Sequence, residues 1–250
     1  MTGAARERAT GRTLHGRVAV VTGATGALGR IVTERLAGAG GRLVLAGRDE
    51  ARLRDVAVGL GLADDGWIAV AGDLDAKGCA AIAQAAEAAY GSADIVVHLV
   101  GGYVGGTTIA ETDPAALESM LDQHVRTTFH LARAFSGPLT RSGAGRFVAV
   151  TSPFGFEPAG KNAAYAAAKA AQTSLVLSLA QELRATGATA NAILVRTIDT
   201  NGERITAPTT ANARWTTPDE IAAAILWLCG TDAERINGVA LPLFGGTTPG

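Results

Sequence analysis

The chain has 250 residues, 48% of them hydrophobic, and its 22 Lys+Arg against 23 Asp+Glu leave a formal net charge of -1. That is ample apolar material for one core, and the near-neutral balance argues against holding nucleic acid or an anionic membrane by electrostatics. Two cysteines, Cys79 and Cys229, argue against a disulfide scaffold or a zinc cluster and fit a reducing compartment. Residues 1–13 carry Arg6, Arg8 and Arg12 with no apolar run behind them. They read as a loose tail rather than a signal peptide, ahead of one domain over 14–250. The longest apolar stretch, 221–229, is shorter than the roughly 20 residues that span a bilayer, so a soluble cytoplasmic protein is expected.

Strands predicted at 17–22, 42–46, 67–71, 94–100, 146–151, 189–194 and 239–243 alternate with helices at 27–39, 50–60, 76–90, 114–135, 162–186 and 218–229. Strands this short and this continuously apolar are what burial on both faces of a parallel sheet produces, and crossover helices make such a sheet doubly wound. The expected fold is a Rossmann-type α/β sheet of about seven strands flanked by helices. Ligands of such sheets bind beyond the carboxyl ends of the strands, and the chemistry-bearing motifs gather there.

The first strand ends at Thr22 and runs directly into Gly23, Ala24, Thr25, Gly26, Ala27, Leu28 and Gly29 before a helix. Glycines permit a tight turn and let backbone N–H groups approach a pyrophosphate, which the helix N-terminus then stabilises. A purely structural turn is the alternative. The second strand ends in Gly47-Arg48, where an acidic side chain would hold a ribose 2′-hydroxyl. Glycine in that place, followed by a guanidinium, suits a 2′-phosphate and favours NADP(H) over NAD(H). A solvated Arg48 beside a helix-capping Asp49 is the other reading. Asp73, followed by Leu74, closes the third strand; Asp73 is placed to reach an adenine edge, or else to cap the helix that starts near Ala76.

Tyr165 and Lys169 lie one turn apart on one face of an Ala-rich helix, and Ser152 follows the fifth strand. Hydride transfer to a carbonyl needs a proton donor at the developing alkoxide. An adjacent ammonium and an oxidised nicotinamide would stabilise a phenolate; a lowering of about three pKa units corresponds to roughly 4 kcal/mol. Ser152 would donate to the substrate oxygen, unless it only makes a local turn bond.

The chain resembles the short-chain dehydrogenase/reductase family over residues 14–246. The resemblance rests on Thr22-Gly23 through Gly29, on Asp73, and on the Ser152, Tyr165 and Lys169 set. It extends to Asn191-Ala192-Ile193 before a loop ending in Thr200, and to Ile236-Asn237-Gly238 with Gly245-Gly246. It implies an NAD(P)-dependent oxidoreductase with Tyr165 as general acid/base, Lys169 holding the nicotinamide ribose and lowering the tyrosine pKa, and Ser152 orienting the substrate carbonyl. It further implies that Ile198 and Thr200 meet the nicotinamide carboxamide, and that the chain forms a homotetramer or dimer through its long helices and last strand.

Four departures stand out. Ala27 replaces the usual middle glycine, with Gly26 one place earlier. His98-Leu99-Val100-Gly101 stands where relatives carry Asn-Asn-Ala-Gly; His98 reads as a strand-packing residue. His124 takes the place of the asparagine that anchors a relay water, as a proton shuttle or as a neutral structural histidine. Val195-Arg196 replaces Pro-Gly, with Arg196 either a clamp for a substrate carboxylate or a partner in a surface or subunit-interface ion pair. The loop 101–106 lacks a P-loop arrangement and gives the cofactor room, with Gly101 nearest to it.

Tyr103, Phe154 and Phe156 follow strand ends and are candidates to line the substrate cleft, under a Thr-rich segment 201–215 that reads as a mobile lid. No metal site is suggested. The expected function is an NADPH-dependent carbonyl reductase (ketoreductase), or the reverse alcohol dehydrogenase, acting on a small-to-medium substrate. The alternatives are a non-redox dehydratase, isomerase or cyclase using Tyr165, and a non-catalytic subunit.

Overall fold

The computed structural model describes residues 13–245; residues 1–12 of the expected tail and Gly246 lie outside these. Strands β1 (Val18–Thr22), β2 (Arg42–Gly47), β3 (Trp67–Ala71), β4 (Ile95–His98), β5 (Arg146–Thr151), β6 (Thr189–Leu194) and β7 (Ala240–Pro242) form one sheet. Its order is β3-β2-β1-β4-β5-β6-β7, parallel at every pairing.

Side chains alternate across this sheet, and both faces are dry. Ala19 and Val21 of β1, Leu43 and Leu45 of β2, and Ile95 and Val97 of β4 pack on one side. Their partners there are helices α1 (Ala27–Gly38), α2 (Glu50–Gly59) and α8 (Pro218–Cys229). Val18 and Val20, Val44 and Ala46, and Phe147 and Ala149 pack on the other side. They meet α3 (Ala76–Tyr90), α5 (Thr127–Ser142) and α6 (Ala163–Glu182). Burial on both faces is why these strands lack the apolar/polar alternation of a half-exposed sheet.

Connections from β1 and β4 diverge to opposite sides of the sheet, so a crevice opens between the carboxyl ends of these two neighbours. The last strand is fastened by two asparagines: Asn191 Nδ2 donates to the Ile236 carbonyl and its Oδ1 accepts from Val239 N, while Asn237 Oδ1 accepts from Ala190 N.

Three elements differ from expectation by more than one residue at an end. Strand β4 stops at His98 rather than at residue 100: Leu99 N makes a last bond to the Thr22 carbonyl, and Leu99 and Val100 line the crevice. The helix expected over 114–135 is α4 (Pro114–Met120), a π-helical turn (Leu121–Arg126) and then α5, which continues through Pro138 to Ser142. Proline inside a helix costs about 3 kcal/mol. Leu131, Phe135 and Leu139, spaced four apart and fully buried, offset it at roughly 1.5–3 kcal/mol each. Helix α6 ends at Glu182, and Ala185 beyond it takes φ 63°.

Among the described residues no helix is long and apolar enough to cross a membrane, and no group of three His, Cys, Asp or Glu side chains is arranged to hold a metal ion.

Candidate active site

Two adjoining clefts, of about 670 and about 700 Å³, share Gly23 and Val100 along the carboxyl ends of the strands. The glycine turn stands at their junction. Gly23 has φ 78°, and a Cβ there would meet the Leu99 carbonyl carbon at 3.2 Å; at Gly29 a Cβ would fall 2.1 Å from the Gly23 carbonyl oxygen. These two positions admit only glycine, because β1, the loop after β4 and the start of α1 approach so closely. Gly26 is the N-cap of α1 and offers no side-chain acceptor. The first N–H groups of α1, at Ala27, Leu28 and Gly29, are therefore left for a ligand, and an anion such as a pyrophosphate fits them. The shift of the middle glycine from 27 to 26 leaves this N-terminus open.

Thr25, Arg48, Asp73 and Leu74 line the second cleft. Helix α3 is capped by Asp75, which accepts from Gly78 N at 2.7 Å, so the capping role considered for Asp73 falls to its neighbour. Asp49 does cap α2, accepting from Arg52 N. Arg48 nevertheless stands at the cleft rather than away from it. A Cβ on Gly47 would touch only a Leu53 methyl, at 3.4 Å; packing does not require glycine there.

The first cleft holds the catalytic candidates Tyr165, Lys169 and His124, with Gly101, Tyr103, Phe154, Arg196, Ile198 and Thr200 around them. Ser152 is fully buried beside it, its Oγ accepting from Phe154 N at 3.3 Å. Three rings stand edge-on to Tyr165: Tyr103 at 5.1 Å, His124 at 5.6 Å and Phe154 at 6.2 Å between centroids. Tyr103 is fixed by donating its hydroxyl proton to Asn162 Oδ1, and Gly106 N donates to the Lys161 carbonyl, so the loop after β4 is tied to the start of α6.

Phe156 does not join this group. The tight turn at Pro153–Gly155 sends it outward, 56% exposed, onto a separate groove with Ala170 and Thr173. Segment 201–215 is also more firmly held than a free lid. Buried Asp199 accepts from the N–H groups of Glu203 and Arg204, which open the short helix α7 (Glu203–Thr206). Arg204 donates to the Trp215 carbonyl and to Glu220.

Lys169 is 95% buried and donates from Nζ to Gln172 Oε1 at 2.9 Å and to the Val150 carbonyl at 3.3 Å. Burial lowers its pKa to about 7. Its nitrogen lies 5.7 Å from the Tyr165 ring centroid. For Tyr165, burial pushes the phenol up, while the Ser152 hydroxyl pulls against the rise. The expected lowering of that pKa is therefore not a property of the protein alone, since the ammonium is engaged by Gln172 and Val150 and desolvation dominates.

Gln172 has no counterpart in the expected site. It is fully buried, and its Nε2 donates to Thr128 Oγ1, which donates to the His124 carbonyl. A continuous buried chain thus joins Lys169 to His124. The π-helical turn supplies its far end: Thr127 and Thr128 hydroxyls back-bond to the Gln123 and His124 carbonyls, stabilising a widened turn that aims the His124 ring into the cleft.

Burial and then the Lys169 charge hold the His124 pKa down at about 4, so the ring is neutral at ordinary pH. It faces the Gly102 carbonyl through Nε2 at 2.9 Å, a partner that only accepts, so Nε2 carries the proton. Nδ1 is then a buried acceptor with no partner. His98 is fully buried between Thr22 and Thr127, with its pKa lowered to about 3, and is the packing residue its position on β4 suggested.

A family model described as short chain dehydrogenase matches residues 17–210. A putative ketoacyl reductase of the monensin polyketide synthase from Streptomyces virginiae is 31% identical, over 92% of this chain and 96% of that protein. An NADPH-bound short chain oxidoreductase from Pseudomonas aeruginosa, described as containing an atypical catalytic center, superposes with a TM-score of 0.82 at 29% identity, covering 94% of this chain and 98% of that one. A 3-ketoacyl-(acyl-carrier-protein) reductase from Brucella melitensis in complex with NADH gives a TM-score of 0.82 at 27% identity, over 93% and 98%. With the family model spanning most of the chain, the glycine turn, Tyr165 and Lys169 lining one crevice and Ser152 buried beside it, the chain belongs to the short-chain dehydrogenase/reductase family of NAD(P)-dependent oxidoreductases.

Proposed function

We propose that the protein is an NADPH-dependent carbonyl reductase, a ketoreductase that in reverse is an alcohol dehydrogenase, for small-to-medium substrates. The observation that carries this reading is the convergence of Tyr165, Lys169 and buried Ser152 on the cleft that begins at the open N-terminus of α1. A bound nicotinamide would supply or accept the hydride. The Tyr165 hydroxyl delivers the proton to the developing alkoxide. Ser152 accepts from Phe154 N and its hydroxyl is hydrogen-bonded to Tyr165; with substrate bound, that O–H would turn to the carbonyl oxygen and polarise it. Lys169, held by Gln172 and Val150, keeps a positive charge next to the phenol, and the nicotinamide ribose is its expected partner. Ile198 and Thr200 would meet the carboxamide.

The preference for NADPH rests on Gly47 and Arg48: the last residue of β2 has no side chain, the Asp49 carboxylate is taken up in capping α2, and the Arg48 guanidinium lines the cleft. Asp73 and Leu74 would flank the adenine. Likeness to the ketoacyl reductases adds support for a ketone substrate. We further assign residues 14–250 to one domain, the protein to the cytoplasm, and its assembly to a homotetramer or dimer.

Fluorescence titration with NADPH and NADH separately tests the cofactor preference, and transfer of deuterium from labelled NADPH into an alcohol product tests the chemistry. Binding without deuterium transfer to any carbonyl would favour a non-redox reaction at Tyr165. Failure to bind either nucleotide would overturn the reading.

A further inference from the structure

Arg196 opens the loop after β6 and lines the catalytic cleft. Its guanidinium lies over the Phe154 ring, carbon to centroid 5.6 Å, and Phe154 in turn meets Tyr165 edge-on. One aromatic ring therefore separates a cation from the catalytic phenol. Arg35, Arg54, Arg126, Arg141 and Arg204 all pair with carboxylates. Arg196 has no such partner among the described residues, and no Asp or Glu lines this cleft. The ion-pair role open to it from sequence is thus unfilled within the chain. A guanidinium steadied on an aromatic face, with its donor edge free and no counter-ion, is a receptor for a planar anion.

We propose that the substrate is an oxo-carboxylate. Its carboxylate is bound by Arg196 and its reacting carbonyl lies at Tyr165, with a short apolar stem passing the Phe154 ring. This rests on the carbonyl reductase reading and adds the charged group that the cleft selects. The other source of such an anion is a phosphate of the cofactor, and the test separates the two.

Paired ligands, each an oxo-carboxylate and its methyl ester with stems of graded length, are titrated calorimetrically into the NADP+ complex of the wild type and of Arg196→Gln. The same pairs are assayed with NADPH. At least one acid is expected to bind the wild type roughly 10- to 100-fold more tightly than its ester. In Arg196→Gln that advantage disappears, while NADPH affinity, followed by fluorescence, stays unchanged and shows an intact fold. Equal binding of acids and esters, or failure of every pair to bind, would overturn the proposal. So would a loss of NADPH affinity in Arg196→Gln, which would assign the guanidinium to a cofactor phosphate. Selective carboxylate binding without turnover of any pair would leave the anion site standing and sink the reductase reading instead.

Discussion

The Lys169 ammonium donates to the Gln172 carbonyl oxygen one helical turn further along α6, both groups being buried. Gln172 is oriented by its second bond, from Nε2 to Thr128 Oγ1, so its oxygen can only face the lysine. The amide is a positioning device for a charge that burial would otherwise expel.

The pH dependence of the reaction should expose this pairing. Lys169 has a pKa lowered to about 7, so the ammonium is present below that pH and is lost as pH rises through it. Gln172→Leu removes the side-chain acceptor and should move the loss of kcat/KM to lower pH. Gln172→Glu places a carboxylate beside the ammonium, favours the charged form, and should move the loss upward by about one unit or more. Profiles that coincide for wild type and both variants would dismiss the role. Activity lost in Gln172→Leu but kept with a raised profile in Gln172→Glu would separate electrostatics from simple packing damage.

Removing the phenol oxygen tests the acid directly. Tyr165→Phe keeps the ring and its edge contacts with Tyr103, His124 and Phe154, so NADPH binding by fluorescence should persist. Turnover should fall by about 100-fold to 10,000-fold, the usual contribution of a placed proton donor. Turnover close to wild type would remove Tyr165 from the mechanism.

Much of this was legible before the fold. Strands buried on both faces declare themselves as unbroken apolar runs, and Tyr165 with Lys169, one turn apart on α6, shares a face by spacing alone. What failed to show has physical reasons. Leu99 and Val100 look like more of β4 because apolar residues lining a ligand crevice have the same composition as a buried strand. Pro138 reads as a helix stop, but the burial of Leu139 beyond it prevails. The π-helical turn has no periodicity signal of its own; the hydroxyl pair Thr127-Thr128 was the available hint. By sequence Phe156 reads as a cleft residue, but the three-residue turn at Pro153–Gly155 carries it to a separate groove. Gln172 belongs to no family motif used in the sequence reading, although its place three residues after Lys169 and seven after Tyr165 puts it on their face.

The proposed cofactor preference rests on a glycine the fold does not demand. A Cβ on Gly47 meets only a Leu53 methyl, at ordinary contact distance, so Gly47→Asp should fold normally. The new carboxylate would repel a 2′-phosphate and accept from a 2′-hydroxyl, moving preference toward NADH by at least about tenfold. Arg48→Ala should weaken NADPH binding and leave NADH binding nearly unaltered. Dissociation constants for both nucleotides measure this, and an unchanged ratio in both variants would refute the assignment of this strand end.

Gly101 and the His124 ring meet closely in the catalytic cleft. A Cβ on Gly101 would fall 2.2 Å from His124 Cε1 and 2.6 Å from Nδ1. The ring cannot yield toward Tyr165 without disturbing their edge contact, nor turn without losing its bond to the Gly102 carbonyl. Gly101→Ala should therefore destabilise the protein by about 1–3 kcal/mol, the usual cost of overpacking, and depress turnover with it. His124→Ala alone opens a cavity and removes the buried acceptor Nδ1. In the double variant the alanine methyl enters the space the ring has left, so thermal unfolding should show stability partly regained relative to Gly101→Ala. Strictly additive losses would mean that the glycine answers to something other than the histidine ring. If turnover also returns in the double variant, His124 serves Tyr165 by filling space. If stability returns and turnover does not, its neutral Nδ1 has a part in the chemistry that packing cannot replace.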